Sequence, residues 1–140
     1  MGTGRPAKCY EFTLQPRWGD MDALNHVNNT RYLDYAQEAR VGFSLELIGP
    51  ARAPLVVARQ EIDYLRPLVY RNQPVAVQVQ VQAVGNSSFT LLQTVQEPGE
   101  GGEVYARVLA IMVGFDRTRG GSRPLSDGER AALTALLPTE

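Results

Sequence analysis

This chain is poor in the residues that carry redox and metal chemistry. Cys9 is its only cysteine and His26 its only histidine. A lone cysteine excludes an internal disulfide and a cysteine-based metal cluster, and it suits a reducing compartment. Basic and acidic residues number 14 and 15 and form no run of one sign, which argues against nucleic acid or an anionic membrane as the main partner. An anionic small ligand touched by two or three arginines stays open. Met1–Lys8 has no apolar signal segment and no apolar run reaches membrane-spanning length, so a cytoplasmic protein without membrane insertion is expected. Repeats and interdomain linkers are also missing. The 140 residues read as one domain, 1–140, long enough for a single substantial core.

What is present is a clear alternation of patterns. Residues 8–16 read as a first strand, with Tyr10, Phe12 and Leu14 alternating with Glu11, Thr13 and Gln15 before Pro16. From about 29 to 48 the spacing turns helical: Tyr32, Ala36, Ala39, Phe43 and Leu47 form one apolar stripe. Arg31, Asp34, Gln37, Glu38 and Arg40 would supply most of its polar surface, Asn28 or Asn25 its cap, and Gly49-Pro50 its end. Residues 54–65 are apolar and rich in strand formers. In the run 75–84 valines alternate with glutamines almost without fault, so the valines should face a core. Gly85-Asn86 signals a turn into a return strand over 87–96, and a second turn at 98–102 leads to 104–115, apolar on both faces like a central strand covered on both sides. A loop over 117–123 and a short helix from Ser126 to about Leu136, with the capping pair Ser126 and Glu129, close the chain.

The order strand, long helix, four strands predicts an α+β protein: an antiparallel sheet of five or six strands wrapped around one long central helix. Such a sheet leaves edges, most simply managed by pairing across a two-fold axis.

The chemistry concentrates between Arg17 and Tyr32, where Asp20, Asp22, His26, Asn25, Asn28 and Asn29 lead straight into the helix. A carboxylate facing the first turn of a helix has a use. Free N–H groups and the positive dipole end stabilise an oxyanion while the carboxylate attacks or activates water. Asp20 reads as structural, accepting turn N–H groups or pairing with Arg17. His26 stands close to Asp22, but without a second histidine or a serine or cysteine motif neither a triad nor a metal site is supported, and it reads as an orienting group. Tyr32 and Tyr35 read as core residues with hydroxyls at the rim, and Glu38 as a partner of Arg31 or Arg40.

The pattern Asp20-x-Asp22-x-x-x-His26-Val27-Asn28-Asn29-x-x-Tyr32, followed by Tyr35, Glu38 and Arg40, resembles the hotdog-fold acyl-CoA thioesterases of the 4-hydroxybenzoyl-CoA thioesterase type. Ile62-Asp63-Tyr64-Leu65-Arg66-Pro67, Gly85-x-Ser87-Ser88-Phe89 and Gly114-Phe115-Asp116 support it, so the likeness spans a core of about 8–117, with 118–140 as a C-terminal loop and short helix. The resemblance implies hydrolysis of an acyl-CoA thioester, with coenzyme A as part of the substrate and no separate cofactor. It makes Asp22 the catalytic carboxylate, as nucleophile or general base, and the Asn29 backbone N–H the oxyanion donor. It keeps His26 as a further catalytic candidate and Glu38 as a reserve base. Asn25, Asn28, Tyr32, Glu38, Arg66, Ser87 and Ser88 become candidate substrate contacts. It also implies a homodimer, pairing further into a homotetramer. Relatives hold the coenzyme A phosphates with basic side chains near 85–87, and this chain has none there. Arg59, Arg66, Arg71, Arg117, Arg119 and Arg123 are the substitutes, and acyl carrier protein is the other thiol carrier to consider. Two rivals share the fold: hydration or dehydration of a 3-hydroxyacyl or enoyl thioester by Asp22 and His26, and a dimer that binds acyl thioesters without turning them over.

Overall fold

The computed structural model describes residues 9–49 and 53–138. Lys8, expected to open the first strand, and Pro50, expected to help end the helix, lie outside them. Strand β1 covers Tyr10–Leu14, and a 3-10 turn at Trp18–Asp20 leads towards helix α1, Arg31–Phe43. Strands β2 (Leu55–Tyr64), β3 (Val75–Val84), β4 (Ser88–Gln96) and β5 (Val104–Asp116) follow, then the two-residue β6 (Gly121–Ser122) and helix α2 (Asp127–Thr134). The strands pair antiparallel in the order β1-β3-β4-β5-β2, with β6 added to the end of β5.

Helix α1 crosses the inner face of this sheet against β1, β3, β4 and β5. Tyr35, Ala36, Ala39 and Phe43 turn into the core, where they meet Val75, Val77, Val79 and Val81 of β3. The helix approaches β1 closely at Gly42, where a Cβ would stand 2.6 Å from Tyr10 Oη. After Phe43 the backbone widens into one π-turn, Ser44–Ile48, and Gly49 ends the element with a φ of 63° that favours glycine.

Three expectations are corrected. The helix starts at Arg31 rather than 29, because Asn28 builds a turn ahead of it: its carbonyl accepts the Arg31 N–H (2.8 Å) and its Oδ1 the Thr30 N–H (3.0 Å). Asn25 takes no part in the cap. Strand β5 is central but covered on one side only: Ala106, Val108 and Ala110 are buried, whereas Leu109 and Ile111 on the outer face are half-exposed among the described residues. The segment after Asp116 is more than a loop. It turns back as β6, pairing Phe115 with Ser122, and α2 docks through the wholly buried Glu129. That carboxylate receives Arg123 through two contacts (2.9 and 3.0 Å), the Ser126 N–H (2.9 Å) and the Ala53 N–H (3.0 Å), while Ser126 caps α2 as its spacing from Glu129 predicts.

No helix of the described residues is long and apolar enough to cross a membrane. On the outer side of β5, β2 forms an edge of ten residues, with Val56, Val57 and Tyr64 exposed. Long, apolar edges of this kind are a liability unless something covers them.

Candidate active site

The segment between Asp20 and Asn28 folds into a small hairpin. Met21 bridges Val27, the Asp22 N–H donates to the His26 carbonyl (2.8 Å), and the Asn25 N–H donates to the Asp22 carbonyl (3.0 Å). Asn25 takes a positive φ of 64°, a geometry asparagine tolerates better than most side chains. Asp22 stabilises its own turn, with Oδ1 accepting the N–H groups of Leu24 (2.8 Å) and His26 (3.1 Å). Among the described residues its Oδ2 accepts nothing. The hairpin is sewn to the stretch after β2: Val27 N–H donates to Leu68 (2.8 Å), Tyr70 N–H to Asn25 (3.1 Å), and His26 bridges Val69.

Asp20 anchors the whole loop. It is buried, its carbonyl accepts the Asn28 N–H (2.9 Å), and its Oδ2 accepts the Tyr35 hydroxyl (2.7 Å) and the Arg17 N–H (3.2 Å). Burial alone would push this carboxyl up; the hydrogen bonds from Tyr35 and Arg17 outweigh it and hold it below the usual carboxylate range. The structural reading of Asp20 therefore stands, with Tyr35 as an additional partner.

Between Asn28 and Arg31 these contacts leave one donor over. Asn28, Thr30 and Arg31 all spend their N–H groups within the loop, whereas the Asn29 N–H has no acceptor among the described residues and Asn29 is exposed. Asn29 lines a cleft of about 360 Å³ together with Asp22, His26, Tyr32, Tyr64 and Arg66 among others. The floor is aromatic. Tyr32 is buried and packs edge-on against Tyr64 (centroids 5.5 Å) and Tyr35 (6.5 Å), its hydroxyl accepting the Leu68 N–H (3.3 Å). Burial pushes the Tyr32 hydroxyl pKa up, and the nearby Asp22 charge adds to that push.

The fold thus gathers Asp22, His26, Asn29, Tyr32 and Arg66 at one cleft. Arg66 sits there in an ion pair with Glu103. Asn25 and Asn28 shape the backbone behind it. The His26 ring is half-buried at the cleft and makes no hydrogen bond to a described residue; its contact with Asp22 runs through its main-chain N–H. Glu38 is elsewhere: it is exposed, lies outside this cleft and pairs with neither Arg31 nor Arg40 among the described residues. Arg31 pairs instead with Asp34 (2.9 Å). Ser87 and Ser88 stand at the opposite end of the sheet, because Ser88 faces Val113 whereas Tyr64 faces Ala106, seven residues and roughly 23 Å along β5. No group of three or more His, Cys, Asp or Glu able to hold a metal ion occurs among the described residues.

Sequence patterning missed two features. Tyr64 closes the cleft, its hydroxyl donating to the Asn29 carbonyl (2.9 Å). Arg40, read as polar surface, is buried and donates from Nη1 to Gln93 (2.9 Å) and Gln60 (3.2 Å), at a second groove of about 670 Å³ between α1 and the strands β2, β4 and β5. Burial pushes its guanidinium pKa down. Of the six candidate arginines, Arg59, Arg66, Arg71, Arg119 and Arg123 are all engaged with acidic side chains, and Arg117 lines the larger groove without an ion pair among the described residues.

Comparison with known proteins bears on the fold and the family. A thioesterase from Thermus thermophilus, solved with coenzyme A and zinc, is 32% identical, covers 88% of this chain and 95% of its own, and superposes with a TM-score of 0.76. The structure of a predicted thioesterase from Bacillus stearothermophilus shares the hotdog fold with a TM-score of 0.81 at 24% identity, covering 94% of this chain and 98% of that one. The Bacillus subtilis protein YsmA, of uncharacterised function, is 29% identical over 120 residues, 84% of this chain and 80% of its own. Residues 16–136 match the thioesterase-like superfamily, and the chain is a member of that family.

Proposed function

We propose that this thioesterase hydrolyses an acyl-CoA thioester at the cleft beneath the start of α1. One observation carries the reading: Asp22, whose Oδ2 is unengaged, and Asn29, whose N–H is unengaged, line the same cleft. The thioester carbonyl oxygen accepts the Asn29 N–H, at the positive end of the helix dipole. Asp22 Oδ2 then either adds to the carbonyl carbon, expelling the coenzyme A thiolate and leaving a mixed anhydride for water to open, or takes a proton from a water whose oxygen adds instead. Both routes give free acid and thiol. Coenzyme A as the carrier is supported by the complex of the Thermus relative; acyl carrier protein is the alternative to test beside it.

The edge strand supports a homodimer. Antiparallel pairing of β2 with the same strand of a second copy would set the Leu55 end of one against the Tyr64 end of the other. Ser87, Ser88 and Arg117 of the partner subunit would then approach Asp22 and Asn29, which a single chain keeps far from them. The half-exposed outer face at Leu109 and Ile111 is the surface suited to pairing dimers into tetramers. A cytoplasmic location fits the single cysteine. The Asp22–His26 contact runs through the main chain, which favours hydrolysis over the hydratase reading.

The test is thiol release from a panel of aliphatic and aromatic acyl-CoAs, with Asp22→Asn alongside. The variant keeps an Oδ1 acceptor for the turn, so its melting temperature should stay close to wild type while kcat falls at least ~10²-fold. Near-normal turnover in the variant would remove Asp22 from the mechanism, and no release from any thioester would move the weight to the binding-only reading.

A further inference from the structure

We infer that the groove between α1 and the strands β2, β4 and β5 is a subsite for an acyl chain that ends in a carboxylate, with Arg40 as the residue that receives it. This rests on the reading of the cleft as a site of thioester hydrolysis and names the class of acyl group it would serve. Arg40 is 8% exposed and forms no ion pair among the described residues. Its partners are neutral amides: Nη1 donates to Gln93 Oε1 (2.9 Å) and Gln60 Oε1 (3.2 Å), and Gln93 is itself locked by donating to the Ala36 carbonyl (2.9 Å). A guanidinium has further donors on Nε and Nη2, and here they reach no acceptor among the described residues. No fully buried side-chain nitrogen or oxygen among those residues lacks a partner, so Nε and Nη2 keep some exposure, and the cavity that Arg40 lines is the groove. A buried cation without a counter-ion is costly, and an anion seated beside it would offset that cost.

The walls say what the anion is attached to. Leu55, Val57, Phe89, Leu91 and Met112 line the groove, so the carboxylate arrives on an apolar chain rather than as a free inorganic ion. Asp34, the acid on the wall, is already paired with Arg31 (2.9 Å). One side of the helix leads from the cleft to this groove. Asn29 in the cleft is followed, at spacings of four and three, by Leu33, Gln37 and Arg40 in the groove, and β2 flanks both hollows. At helical rise the path from Asn29 to Arg40 is about 16 Å, within the reach of a medium-length acyl chain.

The test uses octanoyl-, decanoyl- and dodecanoyl-CoA, each beside its ω-carboxy counterpart of equal length. For the best-fitting pair kcat/KM should favour the ω-carboxy chain about 10- to 100-fold, mainly through KM, as a charge-assisted contact is worth. In Arg40→Met the two chains should be turned over alike, and Arg40→Lys, which keeps the charge without the fork, should retain part of the preference. Calorimetry with dodecanedioate reads the site without turnover: binding to the wild type should weaken at least ~10-fold in Arg40→Met. Equal or faster turnover of the plain chains by the wild type overturns the assignment and leaves thioester hydrolysis in place, as does a preference that survives in Arg40→Met. No preference in the wild type, with Arg40→Met dissociating in sedimentation, would make a second copy's carboxylate the counter-ion and overturn it as well. No thiol release from any pair, with Arg40-dependent binding of dodecanedioate intact, would remove the hydrolysis reading and keep the carboxylate subsite.

Discussion

Replacing Asp20 by asparagine isolates the charge that ties the loop before α1 to the helix. Asp20 is 3% exposed and its Oδ2 accepts three hydrogen bonds, the shortest from the hydroxyl of the buried Tyr35 at 2.7 Å. A bond to a charged acceptor contributes about 1.5–3 kcal/mol and a neutral one about 0.5–1.5, so the Tyr35 contact alone loses roughly 1 kcal/mol. The new amide group also turns donors towards Arg17 and Arg31, which lie at 3.3 and 3.8 Å from Oδ1. The Arg17 side chain is 64% exposed and swings into water, so its pair is screened and adds little. The bond from the Arg17 main-chain N–H to the same Oδ2 (3.2 Å) loses about as much again, so the sum is roughly 2 kcal/mol, or about 6–8 °C in melting temperature for a domain of this size. The sign with pH follows from the depressed carboxyl. Its stabilisation is complete above the unfolded value near ~4 and is lost as pH falls through the lower folded value. Thermal melts of wild type and Asp20→Asn should therefore differ at pH 7 and converge well below pH 4. Equal melting temperatures at pH 7, or a gap that persists unchanged into strong acid, would refute the charge-based account.

Two further outcomes follow from the packing. Glu129→Gln should lower urea stability by about 3 kcal/mol, since it leaves the mostly buried Arg123 without its carboxylate, and hydrogen exchange should rise first in α2 and β6. Asn25→Ala should cost about 1 kcal/mol in the same melt because of the positive φ, with Asn25→Gly close to neutral; equal losses in both would show that the asparagine side chain, and not the backbone, carries the turn.

The elements were legible because each declares itself within a few residues. The Val-Gln alternation of 75–84 is β3, the Tyr32–Phe43 stripe is the core face of α1, and Ser126 with Glu129 is a true cap. The site was legible where it is local: Asp22 and Asn29 sit seven residues apart in one loop and reach one cleft. What escaped depends on register between distant strands. Arg40 lies beside Ala39 and one turn beyond Ala36, on the rim of the buried stripe, and only the convergence of Gln60 from β2 and Gln93 from β4 makes its burial tolerable. Glu38, its expected partner, points elsewhere. Tyr64 belonged to a recognisable segment, yet nothing in that segment reveals that its hydroxyl crosses to Asn29, 35 positions earlier in the chain. Ser87 and Ser88 were grouped with Asp22 by likeness, and the pairing of β4 with β5 carries them to the far end of the sheet.

The strand order also sets a timetable for synthesis. Strand β2 is the second to be made and the last in the sheet, since its neighbour is β5. After Tyr64 leaves the ribosome, 52 more residues must follow before Asp116 completes that neighbour. At about 5–20 residues per second the wait is roughly 3–10 s. Throughout it Leu55–Tyr64 has no partner strand, and the Asn29 carbonyl has no β2 in place to bring Tyr64 to it. The Asp20–Asn29 loop is encoded early in the chain, and it takes its final form only when nearly all the rest has been made.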